Sequence, residues 1–184
     1  MLTWHELESA CRECKNCPLH AERQNMVFGV GNREAKLMFI GEGPGEQEDI
    51  QGIPFVGPAG MLLTDYLTAV GIKRDEVYIA NIVKCRPPRN RDPHENEQEA
   101  CIGYLRNQVQ LIKPKIIVLL GRIAAQKIID PEFRITKEHG VWHESKGFRM
   151  IATYHPSALL RDESKKPEAF MDFKKIAEEY RKLV

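Results

Sequence analysis

The chain has 184 residues, a length that suits a single domain with a substantial core. Hydrophobic residues make up 42% and charged residues 29%, the balance of an ordinary globular protein, and the net charge of +1 neither favours nor excludes nucleic acid. The start of the chain lacks the pattern of a signal peptide, and the apolar run 116–121 is too short to span a bilayer. We therefore expect one cytoplasmic domain over residues 1–184, without a membrane segment.

Cysteines dominate the first part of the chain. Cys11, Cys14 and Cys17 form a Cys-x-x-Cys-x-x-Cys motif, and Cys85 and Cys101 follow much later. An odd number of cysteines without a secretory signal disfavours a disulfide framework. Four thiolates suit Zn²⁺ and a [4Fe–4S] cluster equally, so the pattern predicts a four-thiolate metal site without identifying the metal. One cysteine is surplus, and Cys11 is the candidate for an ordinary buried thiol.

Four apolar runs rich in β-branched residues predict buried strands, over residues 37–41, 77–83, 115–121 and 150–154. None shows the period-two alternation of a half-exposed strand. Continuous apolar runs are typical of a parallel sheet that helices cover on both faces. The strands are therefore predicted to form one short parallel sheet.

Helical patterns separate these strands. Residues 60–70 carry apolar side chains on one face and stop at Gly71, which suits a helix C-terminus. A second helix is predicted to begin with Asp92 as N-cap and Pro93 as its first residue, and to end at Pro114. Further helices are predicted over residues 123–129 and from residue 168 onwards. The alternation predicts an α/β fold, a three-layer α/β/α sandwich around a short four-stranded parallel sheet.

Conspicuous residues follow three of the four predicted strands. Glu42 comes after the first strand, Asn81 lies near the end of the second, and His155 follows the last. In parallel sheets, functional side chains collect beyond the carboxyl ends of the strands. We therefore expect an acid, an amide and an imidazole to meet at one rim, as in an active site.

The glycine-rich turn Gly41-Glu-Gly-Pro-Gly45 is not a phosphate loop. It lacks a Gly-Lys-Ser/Thr ending, and Glu46 stands where a dinucleotide fingerprint requires glycine. Glu48 and Asp49 add further negative charge, which would repel a phosphate. The glycines are better suited to bring backbone amides against a flat, neutral ligand edge such as a nucleobase.

A basic segment follows the second predicted strand. Lys84, Arg86, Arg89 and Arg91 fall within it, with no acid among them. Such a segment is typical of a solvated loop, and it is also what a phosphate-binding site requires.

Four motifs, in this order, resemble the family 4 uracil-DNA glycosylases. They are Gly41-Glu-Gly-Pro-Gly-Glu-Gln-Glu-Asp49, Gly52-Ile-Pro-Phe-Val-Gly57, Tyr78-Ile-Ala-Asn-Ile-Val-Lys-Cys-Arg-Pro-Pro88 and His155-Pro-Ser-Ala-Leu-Leu-Arg161. The resemblance covers residues 14–161. It implies a base excision repair enzyme that flips uracil out of DNA, hydrolyses its N-glycosidic bond and leaves an abasic site.

The resemblance also implies site residues. A structural [4Fe–4S] cluster would be held by Cys14, Cys17, Cys85 and Cys101. The uracil pocket would be lined by Gly41, Glu42, Gly43, Glu48, Phe55, Asn81 and His155. The catalytic residues would be Glu42, His155 and Asn90, with Glu42 preferred to Asn90 as the group that assists water. DNA contacts would come from Ser157, Leu159, Arg86 and Arg89, with Leu159 as the wedge and Leu160 in the core.

Two other functions compete with hydrolysis. The first is a uracil-DNA binding protein that traps its product covalently through His94 without turnover. The second is a zinc-bound DNA-interaction module, which would make the convergence of Glu42, Asn81 and His155 incidental. In the preferred interpretation the protein is a monomer that acts on single- or double-stranded uracil-containing DNA, with replication or repair proteins as candidate partners.

Overall fold

A computed structural model describes residues 2–184 and contains a mixed six-stranded sheet with helices on both faces. The strands are β1 (Val30–Gly31), β2 (Leu37–Gly41), β3 (Tyr78–Asn81), β4 (Ile116–Leu120), β5 (Trp142–Ser145) and β6 (Phe148–Thr153). Their order in the sheet is β1-β3-β2-β4-β6-β5. The four central strands are mutually parallel, whereas β1 and β5 pair antiparallel at the two edges.

The predicted α/β sandwich is confirmed, but a sheet of four strands is wrong, since the parallel centre carries two more strands at its edges. The sequence did not reveal β1 because it has only two residues. It did not reveal β5 because that strand is half-buried at one end and exposed at the other, so it carries no continuous apolar run.

Eight helices occur within residues 2–184, and none of them is long and apolar enough to cross a membrane. They are α1 (Trp4–Arg12), α2 (Glu46–Gln51), α3 (Pro58–Ala69), α4 (Glu95–Ile112), α5 (Arg122–Ile128), α6 (Ile135–Glu138), α7 (Pro156–Arg161) and α8 (Lys166–Arg181). Short 3₁₀ turns occur at Pro18–His20, Arg74–Glu76, Pro88–Asn90 and Glu163–Lys165.

The core has one large hydrophobic cluster on each face of the sheet, and two smaller clusters add to these. Met38 of β2 belongs to the cluster that includes Leu105 of α4. The next residue, Phe39, faces the opposite side, where its ring stacks on Phe173 of α8 with 6.1 Å between centroids. Successive side chains of a strand point to opposite faces, so a strand covered on both sides must be apolar throughout.

Helix α4 begins later than predicted, with His94 rather than Asp92 as its N-cap. The buried carboxylate of Glu97 accepts from the His94 amide at 2.7 Å and from both terminal nitrogens of the Arg91 guanidinium, at 2.9 and 2.8 Å. A buried carboxylate requires such donors, and they fix the first turn at His94. Asp92 instead pairs with Arg122 at 2.5 Å.

Candidate active site

A cavity of about 380 Å³ lies beyond the carboxyl ends of the central strands. Glu42 and Gly43, which follow β2, line it together with Asn81 at the end of β3. His155, which stands between β6 and α7, lines the same cavity. The structure therefore brings the predicted acid, amide and imidazole to one rim, because parallel strands all end at the same edge of the sheet.

The ring of Phe55 forms one wall of this cavity. Its centroid lies 5.5 Å from that of His155, with 33° between the ring planes. The backbone of Phe55 has a φ of 54°, a left-handed conformation that is strained for an aromatic residue. At Gly60 a β-carbon would lie 2.0 Å from the Phe55 carbonyl, so α3 packs directly on this backbone and holds it.

Glu48 supports Phe55 from the other side. Its Oε1 accepts from the backbone amides of Val56 and Gly57, at 3.1 and 3.0 Å, which are the two amides that follow Phe55. Glu48 lines the cavity as predicted, but this oxygen is already committed to the protein backbone. Its clearest role in the structure is to hold the loop that carries the ring.

The side-chain oxygen of Asn81 is the most informative atom of the site. Asn81 is 1% exposed, and its Oδ1 has no hydrogen-bond partner anywhere in residues 2–184. A β-carbon on Gly41 would lie 2.5 Å from this oxygen and 2.6 Å from Cζ of Phe55. A buried acceptor without a donor is unfavourable by about 1–3 kcal/mol, so this oxygen marks the place of a donor on a ligand.

His155 is held as a neutral donor. The Ser157 amide donates to its Nδ1 at 3.1 Å, and the Ser157 hydroxyl lies 2.7 Å from the same nitrogen. Because a backbone amide can only donate, Nδ1 is the acceptor and the ring proton is assigned to Nε2. Burial lowers the pKa of His155 to about 4, and the charge of Arg161 acts in the same direction. The imidazole is therefore uncharged at neutral pH.

The pKa of the Glu42 carboxyl lies near neutral pH. Burial raises its pKa to about 7, the Asp92 carboxyl adds to this rise, and Arg122 and Arg161 oppose it. A carboxyl of this kind is a suitable general base, since an appreciable fraction is ionised while it remains basic enough to take a proton. The neighbouring Gly43 must stay small, because a β-carbon there would lie 2.7 Å from a methyl group of Val83.

Asn90 also lines the cavity, on a backbone with a φ of 57°. The Nε of Arg86 donates to its Oδ1 at 2.8 Å. The free end of the amide is therefore its nitrogen, which can donate but cannot accept. Asn90 is suited to orient a water molecule, whereas Glu42 is suited to deprotonate one.

The expected roles of the two adjacent leucines are wrong. Leu159 is 1% exposed and packs in a cluster with Tyr154 and Ala169. Leu160 is 42% exposed and lines the cavity. Consecutive helical residues point about 100° apart, and which of them faces inward is decided by the packing of α7 on α3 and on Ala169 of α8 rather than by its apolar sequence.

The basic segment is only partly a surface feature. Lys84 is 1% exposed, with Nζ donating to the Asn81 carbonyl at 3.0 Å and to Oε1 of Gln108 at 2.7 Å. Arg91 forms a salt bridge with Glu97. Lys84 therefore cannot reach a phosphate, and Arg86 and the exposed Arg89 are the cations of the segment left near the surface.

All five cysteines line a second, smaller cavity, which lies between the end of α1 with the segment after it, the middle of α4 and the residues following β3. Arg23 donates to Sγ of Cys85 at 3.2 Å, and the Lys84 amide donates to Sγ of Cys101 at 3.3 Å. N–H donors directed at sulfur stabilise thiolates, so this donor set fits a thiolate-bound group. Among residues 2–184, no three His, Cys, Asp or Glu side chains are arranged to hold a single metal ion.

Known proteins resemble this chain over most of its length. A family model described as the uracil DNA glycosylase superfamily matches residues 28–179. The type-4 uracil-DNA glycosylase of Archaeoglobus fulgidus is 47% identical, over 90% of this chain and 87% of that protein. The type-4 uracil-DNA glycosylase of Thermotoga maritima is 49% identical, over 83% of this chain and 81% of that protein. The type-4 enzyme of Sulfurisphaera tokodaii is 47% identical, over 90% of this chain and 79% of that protein.

Replacing Glu42 with glutamine should raise the melting temperature at pH 8 and leave it nearly unchanged at pH 4. Folding raises the pKa of Glu42 from 4.5 to about 7, so the folded state loses stability as the pH rises between these values. Glutamine cannot ionise and avoids this loss. Calorimetry at both pH values tests the prediction, with Glu46→Gln in the same turn as the exposed control. An equal gain at both pH values would contradict it.

Proposed function

Because the chain belongs to the uracil-DNA glycosylase superfamily and is a DNA repair glycosylase that removes uracil, we propose that the larger cavity holds the flipped base. The enzyme hydrolyses the N-glycosidic bond and leaves an abasic site. A base inside a duplex is out of reach of any side chain, so the nucleotide must first rotate out of the stack. The observation that carries the proposal is the buried Oδ1 of Asn81, which has no hydrogen-bond partner within residues 2–184.

Asn81 recognises the edge of the base through two hydrogen bonds. Its Oδ1 accepts from N3–H of uracil, and its Nδ2 donates to O4. Cytosine presents an acceptor and a donor at these two positions, so both hydrogen bonds fail together. Each mispaired buried group is unfavourable by about 1–3 kcal/mol, and two of them give strong discrimination. The ring of Phe55 stacks on the face of the base.

His155 stabilises the leaving group. As the C1′–N1 bond breaks, its electron pair moves to the uracil ring and negative charge develops on O2. The Nε2–H of a neutral His155 donates to that oxygen, as a donor of an oxyanion hole does. The low pKa of the ring suits this role, because a neutral imidazole keeps its proton while it donates.

Glu42 and Asn90 act on water at the sugar. In its ionised form Glu42 stabilises the positive charge that develops on the sugar and accepts a proton from the water that attacks C1′. The amide nitrogen of Asn90 donates to the oxygen of that water. The new bond joins the water oxygen to C1′, the proton passes to Glu42, and uracil leaves as an anion.

DNA is held around the rim of the cavity. Leu160 is the exposed leucine of α7, and we assign to it the wedge role that the sequence had suggested for Leu159. Ser157 lines the cavity, and Arg86 and Arg89 are the chain neighbours of its lining residues Pro87 and Asn90, where phosphates of a single or double strand would pass. In this proposal the enzyme binds DNA as a monomer.

The cysteine cavity is proposed to hold a [4Fe–4S] cluster through Cys14, Cys17, Cys85 and Cys101. Such a cluster can exchange electrons, which hydrolysis of a glycosidic bond does not require, so we assign it a structural role. Its ligands would tie the segment after α1 to α4 and to the segment after β3. Cys11 lines the same cavity but also packs in an apolar cluster with Leu7, and we leave it outside the ligand set.

Purified protein should be brown and contain about four irons per chain. Replacing any one of Cys14, Cys17, Cys85 and Cys101 with alanine should remove iron and lower the melting temperature, because each change deletes a ligand. Cys11→Ala is the matched control and should retain iron. Iron analysis and visible absorbance provide the measurement. A colourless protein with one zinc per chain would refute the assignment.

Asn81→Asp should weaken the rejection of cytosine. A protonated carboxyl donates to N3 of cytosine, and an ionised one accepts from its amino group, so the carboxyl can match a base that the amide excludes. Excision from cytosine- and uracil-containing oligonucleotides measures the ratio of the two rates. Asn107→Asp, at a half-buried position of α4 that does not line the cavity, is the control. A variant that remains fully selective for uracil would show that Asn81 does not read the base.

One assay tests the function and separates hydrolysis from trapping. Uracil- and thymine-containing oligonucleotides are incubated with the protein, treated with alkali to reveal abasic sites, and run on denaturing gels. His155→Ala should slow excision by about 10²–10³ with little change in DNA affinity, since its bond strengthens only in the transition state. His94→Ala should have little effect, because His94 is the exposed N-cap of α4 and does not line the cavity.

A trapping protein would behave in the opposite way. Wild type would form an adduct with uracil DNA that survives denaturation, and His94→Ala would abolish it. A shifted protein–DNA band for wild type, without alkali-labile product, would overturn the hydrolytic function.

A further inference from the structure

Lys84 is a cation in the interior of the protein, and it has no role in the mechanism above. Its side chain is 1% exposed, and its ammonium donates to the Asn81 carbonyl at 3.0 Å and to Oε1 of Gln108 at 2.7 Å. Both partners are neutral, and within residues 2–184 no carboxylate forms an ion pair with Lys84. A buried charge without a counter-charge is strongly unfavourable, so the interior near Lys84 should contain a compensating negative group.

The sulfur atoms of the cysteine cavity are the groups that can supply this charge. Lys84 lines that cavity, and its own amide donates to Sγ of Cys101 at 3.3 Å. Thiolates bound to a cluster in this cavity carry negative charge, and they are the anionic groups that Lys84 adjoins.

The ammonium also lies where three parts of the fold meet. Its partner Gln108, on α4, donates to the carbonyl of Phe28 at 2.9 Å and to the Tyr78 hydroxyl at 3.2 Å. The carbonyl of Lys84 itself accepts from the Val27 amide at 2.8 Å. This frame holds Nζ against the last residue of β3, so the position of the Asn81 main chain depends on it.

We propose that Lys84 is a positioning residue for base recognition, which holds the Asn81 main chain at the uracil pocket and takes the thiolates of the cysteine cavity as its counter-charge. The inference rests on the proposed function, since Asn81 is the residue that reads the base there. Base recognition and the charge of the thiolate centre are then coupled through one side chain.

Lys84→Met tests this coupling, because methionine fills a similar volume without a charge or a donor. Free uracil, measured as an inhibitor of excision, should bind about tenfold more weakly, and the preference for uracil over cytosine should fall by a similar factor. The midpoint potential of the iron centre should shift to a lower value, because a nearby positive charge favours the uptake of an electron. Iron content should stay near that of wild type.

Gln108→Met is the matched control. It removes the other acceptor of the same ammonium and the bonds to Phe28 and Tyr78, but it leaves the charge and the bond to Asn81 in place. It should lower the melting temperature while retaining uracil affinity and the midpoint potential. If it weakened uracil binding as much as Lys84→Met does, the effect would be one of general packing and the proposal would be overturned.

Lys84→Gln is the alternative variant for this test if Lys84→Met does not fold. Its amide keeps a donor without the charge, so the midpoint potential should fall while uracil affinity is less affected. An unchanged potential in an iron-containing Lys84 variant overturns the proposal, as does unchanged uracil affinity in Lys84→Met.

The wild-type protein is measured first. If it lacks excision activity or iron, the proposed function itself fails. If the wild-type values are normal and the variants are unaffected, only the role of Lys84 is refuted.

Discussion

The parallel register of β2 and β3 pairs Gly41 with Asn81, and the shape of the larger cavity, the proposed uracil pocket, depends on this pairing. It places an amide directly beside a residue that has no side chain, and the ring of Phe55 occupies the adjoining space. A flat ligand can then approach both the ring and the amide. Any β-carbon at Gly41 would lie within 2.6 Å of these two groups, so the sheet register and the glycine together define the space available to the base.

Burial shifts the pKa values of Glu42 and His155, two ionisable groups of the pocket, in opposite directions. It raises the pKa of Glu42 to about 7 and lowers that of His155 to about 4, because a low-dielectric environment disfavours either charge. In the proposed mechanism, this gives a neutral donor for the leaving base and a carboxylate that is basic enough to assist water. Asp92 and Arg122 form a salt bridge of 2.5 Å outside the cavity. Asp92 raises the pKa of Glu42, and Arg122 lowers it.

The segment after β3 connects the pocket to the cysteine cavity. Asn81 lines the larger cavity at one end, and Cys85 lines the cysteine cavity at the other. The amides of Ile82 and Val83 are held by the carbonyls of Gly41 and Glu42, at 2.9 and 3.1 Å, so the segment is also tied to the turn that carries Glu42. The same short stretch of chain therefore contributes residues to both cavities.

The sequence by itself determined the sandwich, its four central strands and the meeting of Glu42, Asn81 and His155, because continuous apolar runs and strand-end residues are local patterns. The family followed from the motifs. Tertiary structure alone decided that Leu160 rather than Leu159 is exposed, since both are apolar and only the packing of α7 distinguishes them. It also placed Lys84 in the interior, because the acceptors that satisfy its ammonium are a main-chain carbonyl and a side chain of a distant helix, which no local pattern reveals.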